Sequence, residues 1–347
     1  MRENLFSSWS NGLLTVAGLY LLYLIVPPFV DWALFSAVFT ARDGDACRGN
    51  GVGACWAFVD AKFGQFIYGR YPEPERWRVN LTVLLAIAGI APLLVPSKLP
   101  KISFVAYLLV LFPVLAFVLL HGGTVGLRVV ETNEWGGLMV TLVVALTGIA
   151  ASLPLGVLLA LGRRSDMPVV RILSIMFIEF WRGVPLITVL FMASVMLPLF
   201  LPEGMTFDKL LRALIGVALF SSAYMAEVVR GGLAAVPAGQ YEAAKALGLT
   251  YWQSMGRIVL PQALTIVIPG IVNTFIGLFK DTTLVLIIGL FDLLGIVQAN
   301  FTDPTWSSPQ TATTGYVFAA FVFWIFCFGM SRYSVFMERR LETDSHR

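Results

Sequence analysis

The 347-residue chain is 58% hydrophobic and only 13% charged, with a net charge of +3. Soluble domains carry about 25% charged residues, so the composition excludes a soluble enzyme and describes a polytopic membrane protein. The slight positive excess implies no nucleic-acid partner, three Cys are too few for a disulfide scaffold, and two distant His residues, His121 and His346, leave no His/Cys metal site.

In chain order, a short polar start precedes a first apolar run at about 11–30, long enough to cross a bilayer, which needs roughly 20 apolar residues. It lacks a small-residue cleavage site and meets Pro27 and Pro28, so no cleaved signal peptide is expected. Residues 41–79 form a polar stretch of nearly balanced charge. Within it Trp56, Val59, Phe63, Phe66, Ile67 and Tyr71 recur at helical intervals, predicting a helix that either lies in the membrane interface or packs on neighbouring spans. Further spans are predicted at about 79–95, 102–121, 136–161, 170–200, 210–232, 258–279 and 314–336.

Orientation follows from the basic residues. Lys98 and Lys101 occupy one short loop and Arg163, Arg164 and Arg171 another; eight spans place both on the cytoplasmic side, together with the two termini and Arg339 and Arg340. The apolar run 282–297 would be a ninth span and would send the basic tail outside. It is therefore read as a re-entrant or interfacial helix. The 41–79 loop then faces an oxidising compartment, where Cys47 and Cys55 either form a disulfide or remain as buried thiols.

One long segment between two apolar runs is itself not apolar: Gln240 to Pro261, QYEAAKALGLTYWQSMGRIVLP. Gln240 to Leu247 reads as two turns of helix. Its alanines give a smooth face and lose no side-chain entropy on ordering, Gly248 can adopt the left-handed conformation that stops a helix, and Pro261 suits a helix start. Taken alone, such a segment is an ordinary capped surface helix. Flanked by spans at both ends, it is a rigid lever.

Ionisable residues within spans are costly and point to function. Glu179 and Arg182 are three apart, as are Glu227 and Arg230, so one helix face presents each pair. Lys280 and Asp281 end the predicted span from Ile258 and are expected near the outer face, with Asn273 mid-span and Thr282 beyond. Each pair either braces helix ends or receives a zwitterionic substrate, whose carboxylate wants Arg or Lys and whose ammonium wants Glu or Asp. Glu179, Arg182, Asn273, Lys280, Asp281 and Thr282 are the substrate-path candidates; no catalytic residue is expected.

The segment Glu242-Ala243-Ala244, then Gly248, then Ile258, Leu260 and Pro261 resembles the EAA loop of ABC-importer permeases at every position of E-A-A-x3-G-x9-I-x-L-P. Residues 135–347 resemble permeases of the polar amino-acid import family. The supporting segments are Trp135-Gly136-Gly137-Leu138, Glu179-Phe180-Trp181-Arg182-Gly183-Val184-Pro185-Leu186, Ala223-Tyr224-Met225-Ala226-Glu227-Val228-Val229-Arg230-Gly231-Gly232 and Lys280-Asp281-Thr282-Thr283-Leu284. Residues 1–134, with three extra spans and the periplasmic loop, look like the extension of the long permease subunit of the general L-amino-acid importer, similar also to permeases for glutamate, glutamine, aspartate and asparagine.

The resemblance implies an all-α integral membrane fold of about eight spans, three N-terminal plus a five-helix permease core, with a cytoplasmic coupling helix. It implies a bacterial inner-membrane subunit working with a second homologous permease, two ATP-binding subunits and a periplasmic amino-acid-binding protein. The chain itself would bind no cofactor, with ATP and Mg in the ATPase partner. None of the six Lys follows a Gly, so the chain has no Walker A motif of its own. The competing class is an ion-coupled secondary transporter; the absence of an internal repeat between residues 1–134 and 135–347 counts against it. A membrane scaffold without transport activity is the third.

Overall fold

The computed structural model describes residues 5, 7–95, 99–124, 126–200, 202 and 207–345; Lys98 and His346 lie outside the described residues. Among these, the regular elements are all helical, with three isolated backbone bridges. Lipid offers the backbone no hydrogen bonds, so a spanning segment satisfies them internally as a helix. Helix α1 is Trp9–Phe35, α2 Trp56–Tyr68, α3 Glu73–Leu94 and α4 Lys101–His121. Then follow α5 (Gly137–Arg163), α6 (Pro168–Gly183), α7 (Leu186–Phe200) and α8 (Lys209–Ala235). The short α9 (Ala238–Ala246), α10 (Tyr251–Ser254) and α11 (Leu260–Ile266) lead to α12 (Ile268–Ile288), α13 (Leu293–Ala299) and α14 (Thr311–Ser345).

Seven of these are long and apolar enough to cross a membrane, and α6 with α7 makes an eighth as a broken pair. The predicted run at 170–200 is therefore not one straight span, because α6 and α7 meet at 100°. Pro185 forces its predecessor out of the helical region, and Val184 sits at φ −108°, ψ 133°. The predicted span 258–279 also shifts. Val267 (φ −103°, ψ 14°) separates α11 from α12, whose first turn holds Pro269. Residues 282–288 continue α12 as a tight 3-10 stretch ending at Gly289, which has φ +74°. They are part of a span, not a separate re-entrant helix. After it comes α13 of 7 residues, about 10 Å at 1.5 Å per residue, too short to cross, so no ninth span arises.

Contacts divide the chain into two compact units, Met1–Gly64 with Val297–Phe321, and Gln65–Ile296 with Val322–Arg347. The boundary at residue 134 is one of resemblance; the contact boundary falls elsewhere. In the first unit the loop that carries Cys47 and Cys55 is ordered by long-range polar contacts. Cys47 and Cys55 are disulfide-bonded, with Cα atoms 5.7 Å apart. The Gly44 N–H donates to the Thr305 carbonyl at 2.8 Å, Arg48 Nε to the Ser307 carbonyl at 3.0 Å, and the Cys55 N–H to Thr314 Oγ1 at 2.9 Å. Lys62 pairs with Asp303, and this ammonium holds the Asp303 carboxyl below its ordinary range. Helix α2, which runs across the boundary between the units, buries Phe58, Val59 and Phe66 while Phe63 stays exposed; Tyr71 lies beyond the helix end.

In the second unit the core is built on α5 against α8, the most extensively packed helix pair. Without a solvent-driven hydrophobic effect between spans, close approach of small residues supplies the attraction. A Cβ on Gly156 would stand 2.7 Å from the Met225 side chain, and one on Gly232 2.5 Å from the Ala263 carbonyl. At the start of α3, Arg78 is fully buried. Its Nε donates to Glu75 at 2.9 Å, and its Nη atoms donate to the carbonyls of Arg128 at 3.0 Å and Leu119 at 3.3 Å. Tyr71 donates to the Leu120 carbonyl at 2.8 Å. Together these tie the start of α3 to the end of α4 and the loop beyond it.

Candidate functional site

The segment singled out in the sequence forms a capped knob. Helix α9 spans Ala238–Ala246, two residues earlier at its start than predicted, because Pro237 supplies the extended residue before it. Gly248 takes φ +70°, donates to the Lys245 carbonyl at 3.0 Å, and is followed by Leu249 donating to the Ala244 carbonyl at 3.2 Å. These bonds satisfy carbonyls the helix end would otherwise leave unpaired. Thr250 and Gln253 form a capping box on α10.

Ala244 is fully buried beneath the knob, whereas Glu242, Ala243 and Gly248 are exposed. Leu247 is 76% and Trp252 69% exposed, large apolar side chains left mostly uncovered. Ile258 and Leu260 are half-buried; Pro261 does not start a helix as expected but lies inside one that runs from Tyr251 through a π turn at Met255–Val259 to Ile266. Beneath, Met255, Val259 and Ala263 share a core with Ala160, Leu161, Met225, Val229 and Leu233, so the knob stands on the ends of α5 and α8.

Two polar anchors that the sequence reading did not single out hold it. Tyr241 donates its hydroxyl to the Leu233 carbonyl at 2.9 Å, and Arg164 Nη1 donates to that carbonyl at 3.1 Å and to the Tyr241 hydroxyl at 3.0 Å. The guanidinium also lies 5.4 Å above the Tyr241 ring. The available signal was Tyr241, the one aromatic residue among alanines in α9.

The intramembrane pairs are rearranged relative to expectation. Glu179 and Arg182 do not pair with each other. Glu179 is held by Arg163 at 2.9 Å, and Arg182 lies 3.7 Å from Glu227. Glu227 also accepts from Arg163 at 2.9 Å and from Arg230 at 3.0 Å. Both carboxylates and three guanidinium groups from α5, α6 and α8 thus form one hub. Helical spacing presented the pairs on faces, but packing of α6 across the ends of α5 and α8 chose the partners.

The remaining substrate-path candidates lie apart from this hub. Within α12, Asn273 and Lys280 are exposed and Asp281 is half-buried. Lys280 and Asp281 are expected at the outer end of a span; they fall instead in the middle of α12, because the span begins ten residues later than its apolar run. The Thr282 side chain is buried and its hydroxyl donates to the Phe279 carbonyl at 2.7 Å. Among the described residues no group of three or more His, Cys, Asp or Glu is arranged to hold a metal.

One buried acid escaped the sequence reading. Asp292, between α12 and α13, is fully buried and accepts from the backbone N–H groups of Gly295 at 2.9 Å and Leu294 at 3.2 Å. Burial pushes its carboxyl up to about 6, against the opposing pull of those N–H donors. An acid raised above its unfolded value, about 3.9, binds more protons folded than unfolded between the two values. Stability therefore falls as pH rises from about 4 to 6. Asp292→Asn keeps an accepting oxygen for the cap, so its thermal unfolding in detergent is expected to lose that decline; a decline unchanged in the variant would rule the assignment out.

Residues 152–343 match the family described as binding-protein-dependent transport system inner membrane component. The chain is 55% identical to the inner membrane amino-acid ABC transporter permease protein YhdY of Escherichia coli K12, over 99% of this chain and 92% of the relative. It is 42% identical to BztC, a glutamate/glutamine/aspartate/asparagine transport system permease protein of Rhodobacter capsulatus, over 99% of this chain and 93% of that one. A crystal structure of an amino acid ABC transporter superposes with a TM-score of 0.52 at 29% identity, covering 59% of this chain and 92% of that chain. These matches favour the ABC permease over the ion-coupled transporter. The chain belongs to the family of binding-protein-dependent transport-system inner-membrane components and is an amino-acid ABC transporter permease, a transport subunit and not an enzyme.

Proposed function

We propose that this permease forms half of an amino-acid path completed by a second, homologous permease. Two ATPase subunits seat on the α9 knobs from the cytoplasm and hold the ATP and Mg, while a periplasmic binding protein delivers substrate. Both termini lie on the cytoplasmic side and lipid covers the exposed apolar faces of the spans. Glutamate, aspartate and their amides are the first substrates to test, since BztC is named for them.

The observation that carries this reading is the knob. A smooth, capped helix exposing Glu242, Ala243, Leu247 and Gly248 is anchored at the same time to α5 and α8. A subunit that grips it can move spans only by binding their two arrangements with different affinity. The test is reconstitution of the complex in vesicles with the binding protein present. Uptake that requires ATP and a co-purifying ATPase is the expected result. Uptake that follows a proton gradient with no ATPase present would overturn the proposal.

A further inference from the structure

We infer that Arg163 and Arg164 are positioning residues forming a relay from the coupling helix to the elbow between α6 and α7; the inference rests on the ATPase-coupled reading of α9 given above. The two arginines are neighbours at the end of α5 and are engaged on different elements. Arg164 holds α9 and the end of α8, through the Tyr241 hydroxyl and the Leu233 carbonyl. Arg163 holds Glu179 of α6 and Glu227 of α8, each at 2.9 Å. Arg182, the third charge facing Glu227 in this hub besides Arg163 and Arg230, directly precedes Gly183-Val184-Pro185, where the chain turns by 100°. A displacement of Tyr241 therefore reaches the elbow through one side-chain contact, one peptide unit and one shared carboxylate.

The hub has the slack that such a relay requires. Its three guanidinium groups outnumber its two carboxylates, so Glu227 keeps Arg230 when Arg163 moves away. Glu227, the least exposed member of the hub, therefore keeps a cationic partner throughout. At 3.7 Å, Arg182 stands beyond hydrogen-bond distance from Glu227 and is placed to close on it as Arg163 leaves. Glu179 is released in the same step. These are two discrete arrangements of one set of side chains, the element that coupling between distant sites needs.

The test uses the complete transporter in vesicles and reads amino acids moved per ATP hydrolysed. A residue that merely supports the fold lowers transport and hydrolysis together and leaves that ratio unchanged. Tyr241→Phe, which keeps the ring and removes the hydroxyl, is expected to lower the ratio about tenfold, within the usual range of coupling energies, with the ATPase still co-purifying. Glu227→Gln is expected to lower it similarly. The double variant should be no worse than either single variant, because the two act in series.

An unchanged ratio in Tyr241→Phe, loss of the ATPase from that variant, or a double effect equal to the product of the single effects would each overturn the relay alone. Absence of ATP-dependent uptake by the unaltered complex would overturn the coupling proposal and the relay with it.

Discussion

Gly248→Val is expected to reduce ATP-dependent uptake about thirtyfold or more while the chain remains in the membrane at near-normal level. Gly248 sits at φ +70°, where a side chain costs roughly 1–2 kcal/mol and a β-branched one is least tolerated. A Cβ there meets nothing within 4 Å, so the substitution overpacks no core, and a loss of that size at a helix end leaves the spans assembled. What it does change is the exposed surface, where an isopropyl group protrudes from the end of the knob against whatever grips it. Blocking the centre of a packed interface is worth about 2 kcal/mol or more, which is the thirtyfold figure. Gly248→Ala, with a smaller protrusion at the same φ, should fall between. Uptake by membrane vesicles, normalised to immunoblotted permease, checks both; full uptake in the valine variant would remove α9 from the coupling path.

The second large effect lies far along the chain from the knob. Arg78→Leu is expected to destabilise the second unit by about 3–5 kcal/mol, the usual result of removing one member of a buried, hydrogen-bonded pair. The guanidinium serves the carbonyls of Arg128 and Leu119 and the carboxylate of Glu75 from a fully buried position. Leucine strands all three. Arg78→Lys keeps the charge but not the planar fork and should recover only part of the loss. The measurements are permease abundance in the membrane and the unfolding temperature of the detergent-solubilised complex. Wild-type values for Arg78→Leu would show that the loop beyond α4 does not depend on this contact.

The helix at the start of the segment Gln240 to Pro261 was legible because its signal is local. Alanine and glycine act on the backbone within one or two turns, so the helix and its left-handed stop could be placed from residues alone, within two residues at the start of α9; the next helix starts at Tyr251, capped by Thr250, and not at Pro261, which lies inside it. The spans were legible for a similar reason, since about 20 apolar residues in a row have one outcome in lipid. The elbow at Val184 has a local cue in Gly183 and Pro185, but the apolar run continues across both, and hydropathy alone does not separate one straight span from two helices at 100°. At α12 the apolar run began at Ile258, and composition gave no cue that Val267 would separate α11 from it.

By itself, then, the amino-acid order determined an all-helical membrane protein and the place of a short capped helix between two spans, since each depends on backbone chemistry and hydropathy within a short window. Tertiary structure alone decided that Glu179 pairs with Arg163, that three arginines share Glu227, that Arg164 and Tyr241 anchor the lever, and that Asp292 is buried. Those outcomes depend on which helix ends meet, and an ion pair is chosen by distance across a contact, not by spacing along a chain.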